Sequence, residues 1–271
     1  MKSLFKGIVG GKRMTVHQRL MWKKEELALS IDYPANGMTK NGHIVLICHG
    51  LIGSRIGVDR LFVKSASELV KNGYTVYRFD YAGCGESTGE YGSFGLNDLI
   101  AQTKTLIDYA CRQEETDKII LLGHSLGGAV TLLQANRDER VKKLIQWAAV
   151  GSPYKDLANI VGSSEVESLQ DFEKVDFYGY PLSGYFFQSM KEYYPLNECA
   201  RFKGDVLLLH GNGDSDIPHD YLFEYRHKYE QRTEGSVEAF IIAQGEHTFS
   251  SSAHYEELIG RTVNWLNKQM L

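Results

Sequence analysis

The sequence predicts an α/β fold: a mostly parallel eight-stranded sheet with helices on both faces and an inserted cap. Two observations carry this. Short, nearly all-apolar runs alternate with amphipathic helical patterns, as right-handed βαβ units require. The alternation then stops between about 151 and 203, where Tyr and Phe crowd the chain, and resumes afterwards. The expected division is a core of 1–150 and 204–271 with a cap of 151–203.

Each element has its own reason. "MTVHQ" and "LALSIDYP" have no helix pattern between them, so they are expected to pair as an antiparallel edge hairpin. "HIVLIC" (43–48), "TVYRFD" (75–80), "KIILLG" (118–123), "KLIQWAAV" (143–150), "DVLLLHG" (205–211) and "EAFIIAQ" (238–244) read as strands. They lack a polar face because a parallel sheet is covered on both sides. Leu96, Leu99, Ile100, Thr103, Ile107 and Ala110 step by three and four, which makes one helical stripe. Tyr255, Leu258, Ile259, Val263 and Leu266 repeat that pattern near the C-terminus. The segment "VDFYGYPLSGYFFQSMKEYYPL" is too long for a structureless connection, hence the cap.

Composition narrows the function classes. With 271 residues the chain is ample for one large core. A net charge of −4, from 30 basic and 34 acidic residues, argues against a nucleic-acid-binding face. Cys48, Cys84, Cys111 and Cys199 are scattered with no C-x-x-C pair, which points to a reduced, cytoplasmic setting. "MKSLFKGIVGGKRM" begins with Lys2 as a leader does, but Lys6, Lys12 and Arg13 interrupt it and no leader-length apolar run follows. No stretch approaches the roughly 18 apolar residues of a membrane helix, so no membrane partner is expected.

The chemistry centres on "IILLGHSLGG", residues 119–128. Gly123-His124-Ser125-Leu126-Gly127 is G-x-S-x-G between a strand and the helix-like run "LGGAVTLLQAN", the context of a nucleophile elbow. The flanking positions must be small because side chains there would strike neighbouring backbone. A serine hydroxyl needs a base. Of the nine histidines, His247 in "AQGEHTFS" follows the last strand, where a doubly wound sheet places its site. His49 and His210 precede glycines at strand ends and are expected to organise turns; His124 is expected to point away from the elbow. The base needs a carboxylate to hold its tautomer. Asp214 is the first candidate and Asp216 the second, both in "LLLHGNGDSDIP". The oxyanion needs two backbone donors, expected from Leu126 and Leu51.

Residues 43–147 and 205–269 resemble the α/β-hydrolase superfamily through "CHGLIGS", "RFDYAGCGESTG", "GHSLGG", "HGNGDSDIP" and "GEHTF", in that order. Within it the chain is most similar to small bacterial cinnamoyl/feruloyl esterases, and the similarity continues through "LSGYFFQSMKEYYPLNECARFKGDVLLLHG". The resemblance implies a serine esterase acting on a small-molecule ester, hydroxycinnamates included, without metal or organic cofactor. It implies a cap tyrosine one place after the aromatic that follows L-x-G. Here Leu182-Ser183-Gly184-Tyr185 is followed by Phe186, a departure, with Tyr185 adjacent; Asp156 matches a cap aspartate. Tyr185, Phe186 and Asp156 are therefore the expected substrate contacts. Thioester or peptide cleavage, acyl transfer, a non-catalytic binding protein and a homodimer all stay open.

Overall fold

The computed structural model describes residues 14–35 and 42–268. The N-terminal stretch weighed above as a leader falls, except for Met14, outside them. Among the described residues no helix is long and apolar enough to cross a membrane.

The edge hairpin forms as expected. β1 (Met14–Trp22) and β2 (Glu25–Tyr33) pair antiparallel across the Lys23–Lys24 turn, and β2 runs antiparallel to its inner neighbour. The inner strands are β3 (Ile44–Cys48), β4 (Thr75–Phe79), β5 (Ile119–His124), β6 (Val141–Trp147), β9 (Asp205–Gly211) and β10 (Val237–Ile242). All pairings among these six are parallel. The order across the eight-stranded sheet is β1-β2-β4-β3-β5-β6-β9-β10.

Helices cover both faces, and alternate strand residues feed the two layers. Val45, Ile47, Ile120, Leu122 and Ile145 pack with α1 (Leu61–Lys71) and α9 (Ser252–Lys268) through Phe62, Leu69, Leu258 and Trp265. Ile44, Leu46, Ile119, Leu121 and Leu144 face the opposite way. They meet α2 (Leu96–Glu114), α3 (Leu126–Ala135) and α8 (Asp220–Glu230). The β3–α1–β4 connection lies on one face and the β4–α2–β5 connection on the other. The chain therefore switches faces beside β3 and β5, which opens a crevice beyond their carboxyl ends.

Two strand ends are corrected. β6 stops at Trp147, not at 150, because Ala148 turns out of the sheet at φ 44°. Ala148, Ala149 and Val150 are apolar because they are buried beside the elbow, where the Val150 N–H donates to the Ser125 carbonyl at 3.2 Å. β10 likewise ends at Ile242, and Gln244 sits at φ 56°.

Between β6 and β9 the chain leaves the sheet. It forms α4 (Pro153–Val161), α5 (Ser163–Ser168), a hairpin of β7 (Lys174–Phe177) and β8 (Tyr180–Ser183), α6 (Gly184–Gln188) and α7 (Pro195–Glu198). Tyr178 and Gly179 close the hairpin, both at positive φ, as a right-twisted two-residue hairpin turn prefers.

Candidate active site

Ser125 sits between β5 and α3 at φ 59°, ψ −126°, a backbone state that costs a non-glycine residue roughly 1–3 kcal/mol. Its surroundings hold it there. The Ser125 N–H donates to the Trp147 carbonyl at 2.9 Å, and its carbonyl accepts from Gly128 at 2.9 Å. The glycines are required by space. A Cβ on Gly123 would overlap the carbonyl of Gly127, and one on Gly127 would overlap the carbonyl of Cys48. A Cβ on Gly50 would lie 2.8 Å from that of Ser125. Leu126 opens α3, whose first-turn N–H groups have no acceptor within the helix.

His247 lies in the loop between β10 and α9. Its Nδ1–H donates to Asp214 Oδ2 at 2.7 Å. Asp214 is fixed from several sides. The backbone N–H groups of Asp216 and Ile217 donate to Oδ1 at 2.9 Å each, and His210 Nε2 donates to Oδ2 at 3.0 Å. Burial works against the charge on Asp214, but the hydrogen bonds from His210 and His247 outweigh it and hold the carboxyl below its usual range. Asp216 is exposed, and among the described residues its side chain accepts only a long 3.3 Å bond from Ser215.

The other histidines have structural partners. His49 Nδ1 donates to the Gly50 carbonyl at 2.8 Å, and its Nε2 accepts from the Tyr81 N–H at 3.0 Å. Burial pushes its pKa down, so it stays neutral in this role. His210 holds Asp214 as well as its turn. His124 Nε2 donates to the backbone carbonyl of His247 at 2.8 Å. Burial first, and then the neighbouring His247, push the His124 pKa down to about 3.

Ser125, His124 and His247 line one cavity of about 620 Å³. Leu51, Ile52, Val58 and Phe62 contribute from the core, and Asn159, Ile160, Phe177 and Tyr178 from the segment between β6 and β9. A second hollow of about 580 Å³ lies between β10 and α9 beside Phe240, Arg261 and Trp265. It holds no nucleophile–base pair, so the candidate site is the first. The loop carrying Leu51 is clamped from below. The Arg55 N–H donates to Asp80 at 2.5 Å, the Arg55 guanidinium pairs with Asp80 and Glu86, and Arg78 donates to the Arg55 carbonyl at 2.7 Å. Nothing in the composition or periodicity of "GSRIG" signals that clamp.

Of the expected substrate contacts Tyr185, Phe186 and Asp156, none is among the residues lining this cavity. Asp156 is 3% exposed and ties α4 to α8: Oδ1 accepts from the Tyr221 hydroxyl and Oδ2 from the Ser152 N–H, both at 2.9 Å. Phe186 is fully buried against Tyr91 and Phe187, with ring centroids 5.3 and 5.2 Å away. Tyr185 is 45% exposed, and its hydroxyl lies beside Gly95 at the start of α2. The helical step of α6 turns Tyr185 and Phe186 to different sides, which linear spacing alone does not reveal. From the segment between β6 and β9, it is Asn159, Ile160, Phe177 and Tyr178 that line the cavity.

Comparison with known proteins agrees with this architecture. A family model described as serine aminopeptidase, S33, matches residues 39–170. The chain superposes on Est1E from Butyrivibrio proteoclasticus, solved with ferulic acid bound, with a TM-score of 0.81 at 20% identity, covering 93% of this chain and 99% of that one. The chain has the α/β-hydrolase fold. Mouse alpha/beta hydrolase domain-containing protein 10 shares this α/β-hydrolase fold, with a TM-score of 0.73 at 19% identity over 94% of this chain and 99% of its own. So does the Pyrococcus furiosus esterase Pf2001, at 0.70 and 18% over 94% and 90%. In sequence, the chain is 33% identical over 131 residues to an uncharacterized 31.7 kDa protein of the traX-finO intergenic region of Escherichia coli, covering 46% of this chain and 43% of that protein. It is 27% identical over 201 residues to the uncharacterized protein YfhR of Salmonella typhimurium, covering 71% and 61%. It thus spans less than two thirds of either relative's length.

Proposed function

We propose that the protein is a serine hydrolase that cleaves carboxylic esters through an acyl-enzyme intermediate. One observation carries this: a serine held at a strained elbow shares a cavity with a histidine whose Nδ1–H is bonded to a buried, ionised aspartate. Because Nδ1 carries the proton, Nε2 is free to accept one. Ser125 Oγ attacks the ester carbonyl while His247 takes its proton. Asp214 orients the ring and stabilises the imidazolium. The oxyanion is held by the Leu126 and Leu51 N–H groups. His247 then protonates the leaving alcohol, and water, activated the same way, releases the acid.

The apolar wall of Leu51, Ile52, Val58, Ile160 and Phe177 suits short and medium acyl groups, with hydroxycinnamates among them. Apolar walls discriminate weakly, so methyl ferulate and methyl cinnamate are expected to differ by less than roughly tenfold in kcat/KM. The decisive test is Ser125→Ala. Loss of a triad nucleophile costs on the order of 10⁶ in kcat, and the variant should resist fluorophosphonate labelling. A variant that keeps a tenth of the esterase rate refutes the assignment. The match to a serine aminopeptidase family model favours a second reading, peptide cleavage on the same apparatus. Turnover of an aminoacyl p-nitroanilide in preference to p-nitrophenyl esters would favour it.

A further inference from the structure

The charges around the cavity are one-sided. Among the described residues that line it, Asp216 is the only carboxylate, and there is no lysine or arginine. Asp214 adds a second negative charge behind His247, because its carboxyl stays ionised. His124 is neutral and spends its Nε2–H on the His247 carbonyl. The nearest arginine on the lining loop, Arg55, is turned into Asp80 and Glu86. Arg60 is exposed outside the cavity, next to Asp59. Among the described residues no cation pairs with Asp216, whose backbone N–H anchors it to Asp214 at 2.9 Å. The same cavity also presents two aromatic rings, Phe177 and Tyr178, with centroids 4.7 Å apart. Aromatic faces and a carboxylate lining one cavity are the chemistry that receives a quaternary ammonium group.

Resting on the ester-hydrolase function proposed above, we infer that this cavity favours cationic and uncharged esters over anionic ones, with Asp216 as the residue that sets the sign. Acyl donors carrying phosphates or carboxylates near the reacting bond meet two negative charges and, among the described lining residues, no lysine or arginine. An acyl thioester of a phosphorylated carrier is thereby disfavoured, although the Ser125 apparatus suits thioester chemistry. Asp216 is exposed, so it acts through water and its effect is a few-fold per charge, screened by salt.

Three butyrate esters that differ only in the alcohol test this: ethyl butyrate, butyrylcholine and the butyryl ester of glycolate. Intrinsic leaving-group differences cancel when each kcat/KM is divided by that of ethyl butyrate and compared between variants. At low ionic strength, Asp216→Asn should lower the cationic-to-neutral ratio by about 3–10-fold and raise the anionic-to-neutral ratio by a similar factor. Asp216→Lys should invert the order, and salt at about 0.5 M should compress the differences in the natural protein. The Asn variant keeps the backbone N–H to Asp214, and fluorophosphonate labelling of Ser125 reports that the site is intact. Unchanged ratios in both variants would overturn the role of Asp216. An anionic-to-neutral ratio in the natural protein no lower than the ratio of the same two esters' uncatalysed hydrolysis rates would overturn the selection itself. If no ester is cleaved and Ser125 resists labelling, the hydrolase function falls and this inference with it.

Discussion

Ser125 and Tyr178 line the same cavity, and both hold a positive φ, 59° and 52°. Their settings are opposite. Ser125 is 6% exposed and bonded through its own backbone to Trp147, Gly128 and Val150. Tyr178 is 83% exposed at a hairpin tip, next to a glycine whose Cβ would meet nothing within 4 Å. In the elbow the strain is over-determined by packed backbone, so Ser125 is held in it. At the tip it is a local turn preference, and the exposed ring packs edge-on only against Phe177 among the described residues. In the function proposed above, the chemistry falls to the rigid side of the cavity, and selection is divided between Asp216, anchored to Asp214 on the loop before α8, and the exposed aromatic tip.

The largest effect that would break this comparison comes from the acid behind the base. Asp214→Asn should lower kcat by about 10⁴, because an amide holds the wrong His247 tautomer. Asp216→Asn should cost far less on a neutral ester. The reverse ranking in steady-state kinetics would move the acid to the exposed position and undo the rigid half of the site.

Packing supplies the next test. Gly123→Ala drives a methyl into the Gly127 carbonyl, and backbone cannot swing aside as a side chain can. Overpacking of this kind costs about 1–3 kcal/mol or more. Gly179→Ala meets no neighbour and bears only the left-handed penalty of about 1–2 kcal/mol. Urea melts should rank Gly123→Ala as the less stable. Equal midpoints would mean that the elbow yields more readily than its contacts imply.

His124 sharpens the comparison through pH. Its folded pKa, about 3, lies below the usual histidine value of 6.5, so the unfolded chain binds the extra proton first. The stability from neutral His124 is fully present above about pH 6.5 and is lost as pH falls toward 3. The slope is at most about 1.4 kcal/mol per pH unit. His124→Gln, which can still donate to the His247 carbonyl, should flatten the stability–pH curve in this window. A curve with unchanged slope would mean that His124 does not carry the acid sensitivity. Asp214 contributes in the same direction only below about pH 4, the usual carboxylate range, since its own pKa is lowered.

The smallest effect belongs to the tip. Tyr178→Ala should leave kcat nearly unchanged and raise KM by a few-fold on bulky esters, since an exposed ring contributes uniform binding. A large fall in kcat would show that the tip is ordered in the transition state.

What could be read before the fold was seen follows from locality. Apolar runs of strand length and the stripe of α2 report burial along one stretch of chain, so six parallel strands, the edge hairpin and the inserted segment were legible. The elbow was legible too, because Gly123 answers a clash with Gly127 within five residues, although the clash that Gly127 avoids is with the distant Cys48 carbonyl. α8 escapes periodicity because its buried positions are largely the tyrosines Tyr221, Tyr225 and Tyr229, whose hydroxyls bond to Asp156, Val150 and Gln146 across the structure. Tertiary structure alone decided that His247 meets Asp214 across 33 residues, that His124 meets the His247 carbonyl across 123, and that Arg55 is consumed by Asp80. It also decided that Tyr178, not Tyr185, faces the cavity. These pairings depend on where separate loops converge beyond the strands, and a linear pattern carries no record of the distance between loops.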